Sequence, residues 1–168
     1  MPTPVPSDPL ATILLTEIAT IDQLMRLRLS RALPRGMELS HYLVLNHLAT
    51  TRAERTPAEL ARILHVSRGA MTNTLTRLER AGFVSIRPDW DDARRKLVTL
   101  LPAGAQACNE AGKAVAAVVA ETVQALGRER IRTILPVLRD LRQLLETEEG
   151  AGTTSLPLSR GGGPSSHS

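Results

Sequence analysis

TPAELARILHVSRGAMTNTLTRLERAGFVSIRPDWDDARRKLVTL, residues Thr56 to Leu100, decides how this chain folds. It opens on a helix start. Thr56 can cap the helix, and Pro57 suits the first position, where its missing N–H would have no partner anyway. Glu59 completes a capping box with Thr56. The helix is short and ends near Leu64. His65-Val66-Ser67 makes a three-residue turn. Ser67 then caps a further helix running to about Arg80, and Gly82 follows its end. Phe83 to Ile86 reads as a strand, and Leu97 to Leu101 as another. The residues between them, Arg87 to Lys96, are too many for a tight turn and too charged for a core. They form a hairpin with a projecting tip. Helix, short turn, helix and charged hairpin is the order of a winged helix-turn-helix.

Helices flank this stretch on both sides. Leu39 to Thr50 is a helical run opened near Ser40, with Leu43, Val44 and Leu48 as its apolar stripe. Before it, Ser7-Asp8-Pro9 starts a long helix with apolar residues at Leu10, Ile13, Leu14, Ile18, Ile21, Leu24, Met25 and Leu29. Pro34 and Gly36 end it. That helix carries more apolar residues than one small neighbour can cover, and a second subunit is one way to cover them. Pro102 opens an Ala-rich helix reaching about Leu126, and Gly127 breaks it. A last helix holds Ile131, Ile134, Leu135, Leu138, Leu141 and Leu145, with a kink expected at Pro136. The fold expected is mainly α. It is one domain over 1–149, with long helices at 7–33 and 102–149 around a winged helix-turn-helix at 39–101. Residues 150–168, rich in Gly, Ser and Pro, are expected to be a disordered tail.

A chain of 168 residues with 42% apolar and 23% charged residues is ordinary for one soluble globular domain. No stretch is long and apolar enough to span a membrane, and residues 1–9 lack the basic and apolar regions of a secretory signal. Cytoplasmic location is the expectation. Cys108 is the single cysteine, which excludes an intrachain disulfide and a Cys-rich zinc site. Tyr42, Phe83 and Trp90 are the only aromatics, too few for a base-stacking RNA sheet or single-strand channel.

Charge is unevenly placed. Residues 51–101 hold ten bases and six acids, while 1–50 hold four of each and 102–168 seven of each. The whole net charge of +4 therefore lies in the middle third, and 19 of the 21 basic residues are Arg, which forks onto phosphate and guanine. In the helix after Ser67, Met71, Leu75 and Leu78 share one face. The opposite face shows Gly69, Asn73, Thr76 and Arg80, flanked by Arg68, Thr72 and Arg77. Such a face can enter the major groove of duplex DNA without repelling phosphate. Asn73 can pair with adenine, Thr72 can touch a thymine methyl, and Arg68 or Arg77 can reach guanine or phosphate. In the hairpin tip, Asp92 is expected to pair locally and orient Arg94. A positioned Arg can enter a narrow minor groove.

Thr56-Pro57-Ala58-Glu59-Leu60-Ala61, Val66-Ser67-Arg68, Leu78-Glu79-Arg80-Ala81-Gly82-Phe83-Val84 and Asp92-Ala93-Arg94, followed by Leu97-Val98-Thr99-Leu100 and Gly104, resemble the MarR family of bacterial transcriptional regulators. The likeness runs from about Leu39 to Gly104, and the flanking helices fit that family's dimerisation region. The resemblance implies a homodimer on a pseudo-palindromic operator in double-stranded DNA. It implies a repressor released by a small-molecule effector. The DNA-binding residues would be Ser67, Arg68, Thr72, Asn73, Thr76, Arg77, Arg80, Arg94 and Arg95, with Asp92 orienting the wing. Two positions depart from the pattern. Leu101 stands where many members have a Thr that caps the following helix. Trp90 occupies a wing position where packing on the wing base is expected ahead of contact with sugar-phosphate.

The family's effector pocket lies between the dimerisation helices and the DNA-binding lobe, which puts His41 and Tyr42 near it as candidate ligand contacts. Ordinary helix packing is the competing reading for that pair. Cys108 has no base beside it and reads as a buried small hydrophobe. His41, His47, His65 and His167 lack metal-ligand spacing, and no local catalytic set or phosphate loop is visible. No metal, cofactor or enzymatic activity is expected. The alternative is a winged-helix module that docks a protein partner without specific DNA binding.

Overall fold

The computed structural model describes residues 8–151. The elements in chain order are α1 (Pro9–Ala32), α2 (Leu39–Thr51), α3 (Pro57–Ile63), α4 (Arg68–Arg80), β1 (Val84–Pro88), β2 (Lys96–Leu100), α5 (Pro102–Leu126) and α6 (Arg128–Ala151). They form two compact units that divide within α5, after Glu121. The first unit carries the helix-turn-helix and the wing. The second holds the end of α5 and α6, which continues through Pro136. The tail expected from Gly150 begins inside α6, and residues 152–168 lie outside the described residues.

Local chemistry starts the first four helices. The Leu10 N–H donates to Asp8 Oδ1 at 2.9 Å. At α3 the Glu59 N–H donates to Thr56 Oγ1 at 3.2 Å, and the Thr56 N–H donates back to Glu59 Oε2 at 2.8 Å. At α4 the Ala70 N–H donates to Ser67 Oγ at 3.1 Å. The start of α2 departs from expectation. It follows Glu38 rather than Ser40, and the Glu38 N–H donates to His41 Nδ1 at 3.2 Å. An imidazole thus does what a Glu or Gln carboxyl or amide does in the common capping box. Gly82, at φ +71°, closes α4 where any side chain would be strained.

The core of the first unit is Val44, Leu45 and Leu48 from α2, Leu60 and Ala61 from α3, and Met71, Leu75 and Leu78 from α4. Val84, Val98 and Cys108 complete it from β1, β2 and α5. Leu43, expected on the α2 stripe, is exposed, and Leu45 takes its place. The strands pair antiparallel from Val84 opposite Leu100 to Pro88 opposite Lys96. Pairing on β1 reaches two residues further toward the tip than the apolar pattern suggests, because ladder bonds need only backbone. The connector after α2 also joins the sheet. The Val98 N–H donates to Arg55 O at 2.8 Å, and the Arg55 N–H returns a bond to Val98 O at 3.3 Å.

The α3 cap is a stability element with a pH signature. The Glu59 carboxyl is held below the ordinary range, first by the Thr56 N–H and then by the Thr56 hydroxyl, which donates at 3.0 Å. A carboxyl depressed in the folded state stabilises above its unfolded value, and that contribution is lost as pH falls through the folded value. Thr56→Ala should cost about 1 kcal/mol at neutral pH. The gap from the parent should narrow as pH falls through the folded-state value of Glu59, where the Thr56 hydroxyl loses its charged acceptor. Urea midpoints from neutral pH down through the acid range check this; a gap that stays unchanged throughout would mean that the carboxylate takes no part.

Candidate nucleic-acid interface

The amphipathic pattern of α4 sets the interface. Burial of Met71, Leu75 and Leu78 forces the opposite face out of the unit. Arg68, Thr72, Asn73, Arg77 and Arg80 are exposed there, with Ser67 at the cap. The one acid of the helix, Glu79, accepts the Ile86 N–H at 3.3 Å and is thereby drawn to the base of the wing. The outward face keeps its cations without a competing carboxylate of its own.

The wing tip is held by its own backbone. The Asp89 N–H donates to Arg95 O at 2.9 Å, and the Arg95 N–H donates to Asp92 O at 2.8 Å. Asp92 Oδ1 accepts the Arg94 N–H at 3.0 Å, and Asp89 Oδ1 accepts the Asp91 N–H at 3.1 Å. Two of the three tip carboxylates are therefore turn formers. Asp92 fixes the backbone that carries Arg94, rather than gripping its guanidinium.

Below the tip, Glu54 Oε1 accepts the Thr99 hydroxyl at 2.6 Å, and Glu54 Oε2 accepts the Arg87 guanidinium at 2.7 Å. These two donors hold the Glu54 carboxyl below its ordinary range. Arg87 is thus committed to the wing base.

Between α4, the start of α3 and the wing lies a cleft of about 390 Å³. Thr56, Pro57 and Ala58 form one wall, Arg68 and Thr72 the second, and Arg94, Arg95 and Lys96 the third. Among the described residues, none of these four cations is in an ion pair. Four cations outside any ion pair make this small cleft electropositive, and phosphate is an anion that Arg and Lys clusters hold well.

The expected site residues are distributed as follows. Arg68, Thr72, Arg94 and Arg95 share the cleft. Ser67, Asn73 and Arg80 lie along α4 outside it. The Thr72 hydroxyl donates to Arg68 O at 2.9 Å, so its methyl and a lone pair remain for a partner. Thr76 departs from its expected outward role. It is half-buried, its hydroxyl donates to Thr72 O at 2.9 Å, and it lines a neighbouring cleft with Glu79 and Ile86. Arg77 also departs, since its guanidinium pairs with Glu38 before α2 and stays outside the cleft. Lys96 and the α3 start are additions that the sequence did not assign. Lys96 was legible as the end of the Arg94-Arg95-Lys96 run, but nothing local places Thr56-Pro57-Ala58 opposite it.

His41 and Tyr42 are engaged in packing. Because Nδ1 of His41 accepts the Glu38 N–H, the neutral ring carries its proton on Nε2, which is buried without a partner among the described residues. Burial pushes the imidazole below its ordinary range, Glu38 opposes this, and Arg77 adds to it. The half-buried Tyr42 lies beside α5 at Gly112, and burial raises its hydroxyl, with Cys108 adding to the effect. Cys108 is 6% exposed and burial raises its thiol, the opposite of what a reactive thiolate requires.

Residues 35–95, which span α2, the helix-turn-helix and the wing, match the model of the MarR family. Over this stretch the chain is similar to the MarR family. It is 42% identical over 55 residues to the multiple antibiotic resistance protein MarR of Salmonella typhimurium. That match takes in 33% of this chain and 38% of the relative, so the chain matches under two fifths of that protein's length. The MarR fold extends further. A mutant MarR from E. coli, solved in complex with operator DNA, superposes with a TM-score of 0.71 at 29% identity, over 80% of this chain and 99% of that one. The transcriptional regulator BldR from Sulfolobus solfataricus has the same fold, with a TM-score of 0.66 at 23% identity over 82% of this chain and 95% of its own. The motif Asp92-Ala93-Arg94, which carries the MarR resemblance in the wing, is the turn whose geometry is given above. No helix of the described residues is long and apolar enough to cross a membrane.

Proposed function

We propose that this chain is a sequence-specific regulator of transcription that binds duplex DNA as a homodimer. The observation that carries this is the cleft of four unpaired cations beside an acid-free helix face that presents Asn73 and Thr72. The cations hold phosphate and set the register, and Asn73 reads a base edge in the major groove. The E. coli MarR structure contains operator DNA, and the shared fold and identity support carrying that role to this chain.

The homodimer rests on α1. Leu10 is 70% exposed, and Ile13, Leu14, Ile21 and Leu24 are exposed beside it. An apolar stripe of this length needs a partner surface. Two copies would set two recognition helices about one helical turn, roughly 34 Å, apart on a pseudo-palindromic operator. Repression follows from occupancy of that operator. A small molecule that prefers a dimer with the wrong spacing would release it, by as much as its affinity differs between the two states. Tyr42 is the better candidate of the two expected effector contacts, since His41 Nδ1 is used within the chain.

The test is fluorescence anisotropy on labelled DNA from upstream of the chain's own gene, against scrambled DNA at two salt concentrations. Native sequence should bind more tightly, and affinity should fall steeply with salt. Asn73→Ala should lose about 1–3 kcal/mol of preference for the native sequence with little change on scrambled DNA. Binding that is absent, or equal on both duplexes, counts against the reading and favours a protein-docking wing.

A further inference from the structure

We propose that Trp90 is a minor-groove contact, inserted when the wing that carries Arg94 meets duplex DNA; this rests on the DNA-binding reading above. Packing on the wing base is the place expected for this ring; of that base the structure brings the Arg87 guanidinium to the ring and leaves the ring itself in solvent. Trp90 is 88% exposed, more than any exposed apolar residue of α1. It stands between Asp89 and Asp91 at the tip, where the Asp89–Arg95 and Asp91–Asp89 bonds fix the backbone on either side of it. Its position is therefore set by the turn rather than by burial of the ring. The Arg87 guanidinium lies 5.9 Å from the ring centroid, and Arg87 is itself held by Glu54.

A large indole kept in water contributes nothing to the fold through its own burial, so its use lies in what it meets. Its neighbours identify the partner. Arg94, Arg95 and Lys96 are unpaired on the same wing, so the polymer they attract is an anion. Asp89, Asp91 and Asp92 also crowd the tip, and a tip of bare carboxylates would be repelled by phosphate. A neutral, exposed ring among them can enter the groove where they cannot. Its faces suit deoxyribose carbons and base edges, and its Nε1–H suits the acceptors that line the minor groove floor. Arg87 backs the ring as a cation and steadies its orientation.

Trp90 is the only tryptophan of the chain, so intrinsic tryptophan fluorescence reports on this ring alone. The probe is a duplex selected from a random-sequence pool by the full chain. Binding is followed in parallel by anisotropy of the labelled duplex. Saturating duplex should quench the tryptophan emission and at least halve its quenching by acrylamide. Trp90→Ala should weaken binding about tenfold, and Trp90→Phe should keep most of the affinity. Saturating anisotropy with unchanged emission and unchanged acrylamide access would overturn the proposal while leaving DNA binding intact. A normal affinity for Trp90→Ala would also overturn it. A pool from which no duplex is enriched would overturn the DNA reading itself, and this proposal with it.

Discussion

Gly104→Ala should unfold this protein well before its parent in urea, with a loss of about 3 kcal/mol. Two effects oppose each other. Removing a glycine from a helix ordinarily gains up to about 1 kcal/mol by restricting the unfolded chain. At this position the gain is overwhelmed. Gly104 lies in the first turn of α5, where the helix meets Phe83, the residue just before β1. A methyl there would strike the Phe83 carbonyl oxygen, with the carbonyl carbon at 2.9 Å and Leu100 Cδ1 at 3.0 Å. The Phe83 carbonyl cannot rotate away, because it accepts the Leu101 N–H at 2.9 Å. Either α5 lifts from the wing or that bond breaks. Gly112→Ala in the same helix is the control. Its added methyl would meet the Tyr42 hydroxyl at 3.8 Å and ring at 3.9 Å, which is ordinary contact. That variant should match the parent or exceed it by up to about 1 kcal/mol. Equal stability of the two variants would mean that α5 does not approach β1 as closely as this.

Arg94→Ala should cost about 3 kcal/mol of DNA affinity, on the order of a hundredfold. A charged hydrogen bond is worth about 1.5 kcal/mol or more, and the proposed homodimer would lose two copies. The loss should appear on every duplex, and the salt dependence should become shallower by about one unit per subunit, since one phosphate-neutralising charge is gone. Arg77→Ala should cost much less. Its guanidinium is already paired with Glu38, so DNA would have to displace a carboxylate to use it. Anisotropy titrations at three salt concentrations separate the two. If Arg77→Ala proved the more damaging, Arg77 would leave Glu38 on binding and the cleft would not be the main phosphate seat.

Much of the wing and its neighbours was legible from local rules. Thr56, Pro57 and Glu59 specify the α3 start, and Ser67 the α4 start, because a cap needs only residues within one turn. Met71, Leu75 and Leu78 mark the buried face of α4 through helical periodicity alone. The α2 start differs from expectation because His41 serves in the box, a role that propensity rules give to Glu or Gln. Leu43 differs because one helical turn of apolar residues, Leu43 to Leu45, does not say which of them faces the core. The Arg55 bridge to Val98 was invisible, since it joins residues far apart in the chain through backbone alone.

The sequence by itself determined the element order, most of the caps, the acid-free face of α4 and the charge of the wing. Each is a property of neighbours along the chain or of a 3.6-residue repeat, and each survives without knowledge of distant contacts. Tertiary structure alone decided which cations act together. Arg77 and Arg68 look alike in sequence, yet Glu38 neutralises one, and the other faces Arg94, Arg95 and Lys96 across a cleft. Thr76 reads as outward along the helix, and only the fold shows it half-covered beside Ile86. Trp90 reads as packing material, and only the turn of Asp89 and Asp91 shows it held in solvent. Pairing, burial and electrostatic complementarity depend on groups that only the closed fold brings within a few ångströms, and those distances are not encoded in any local pattern.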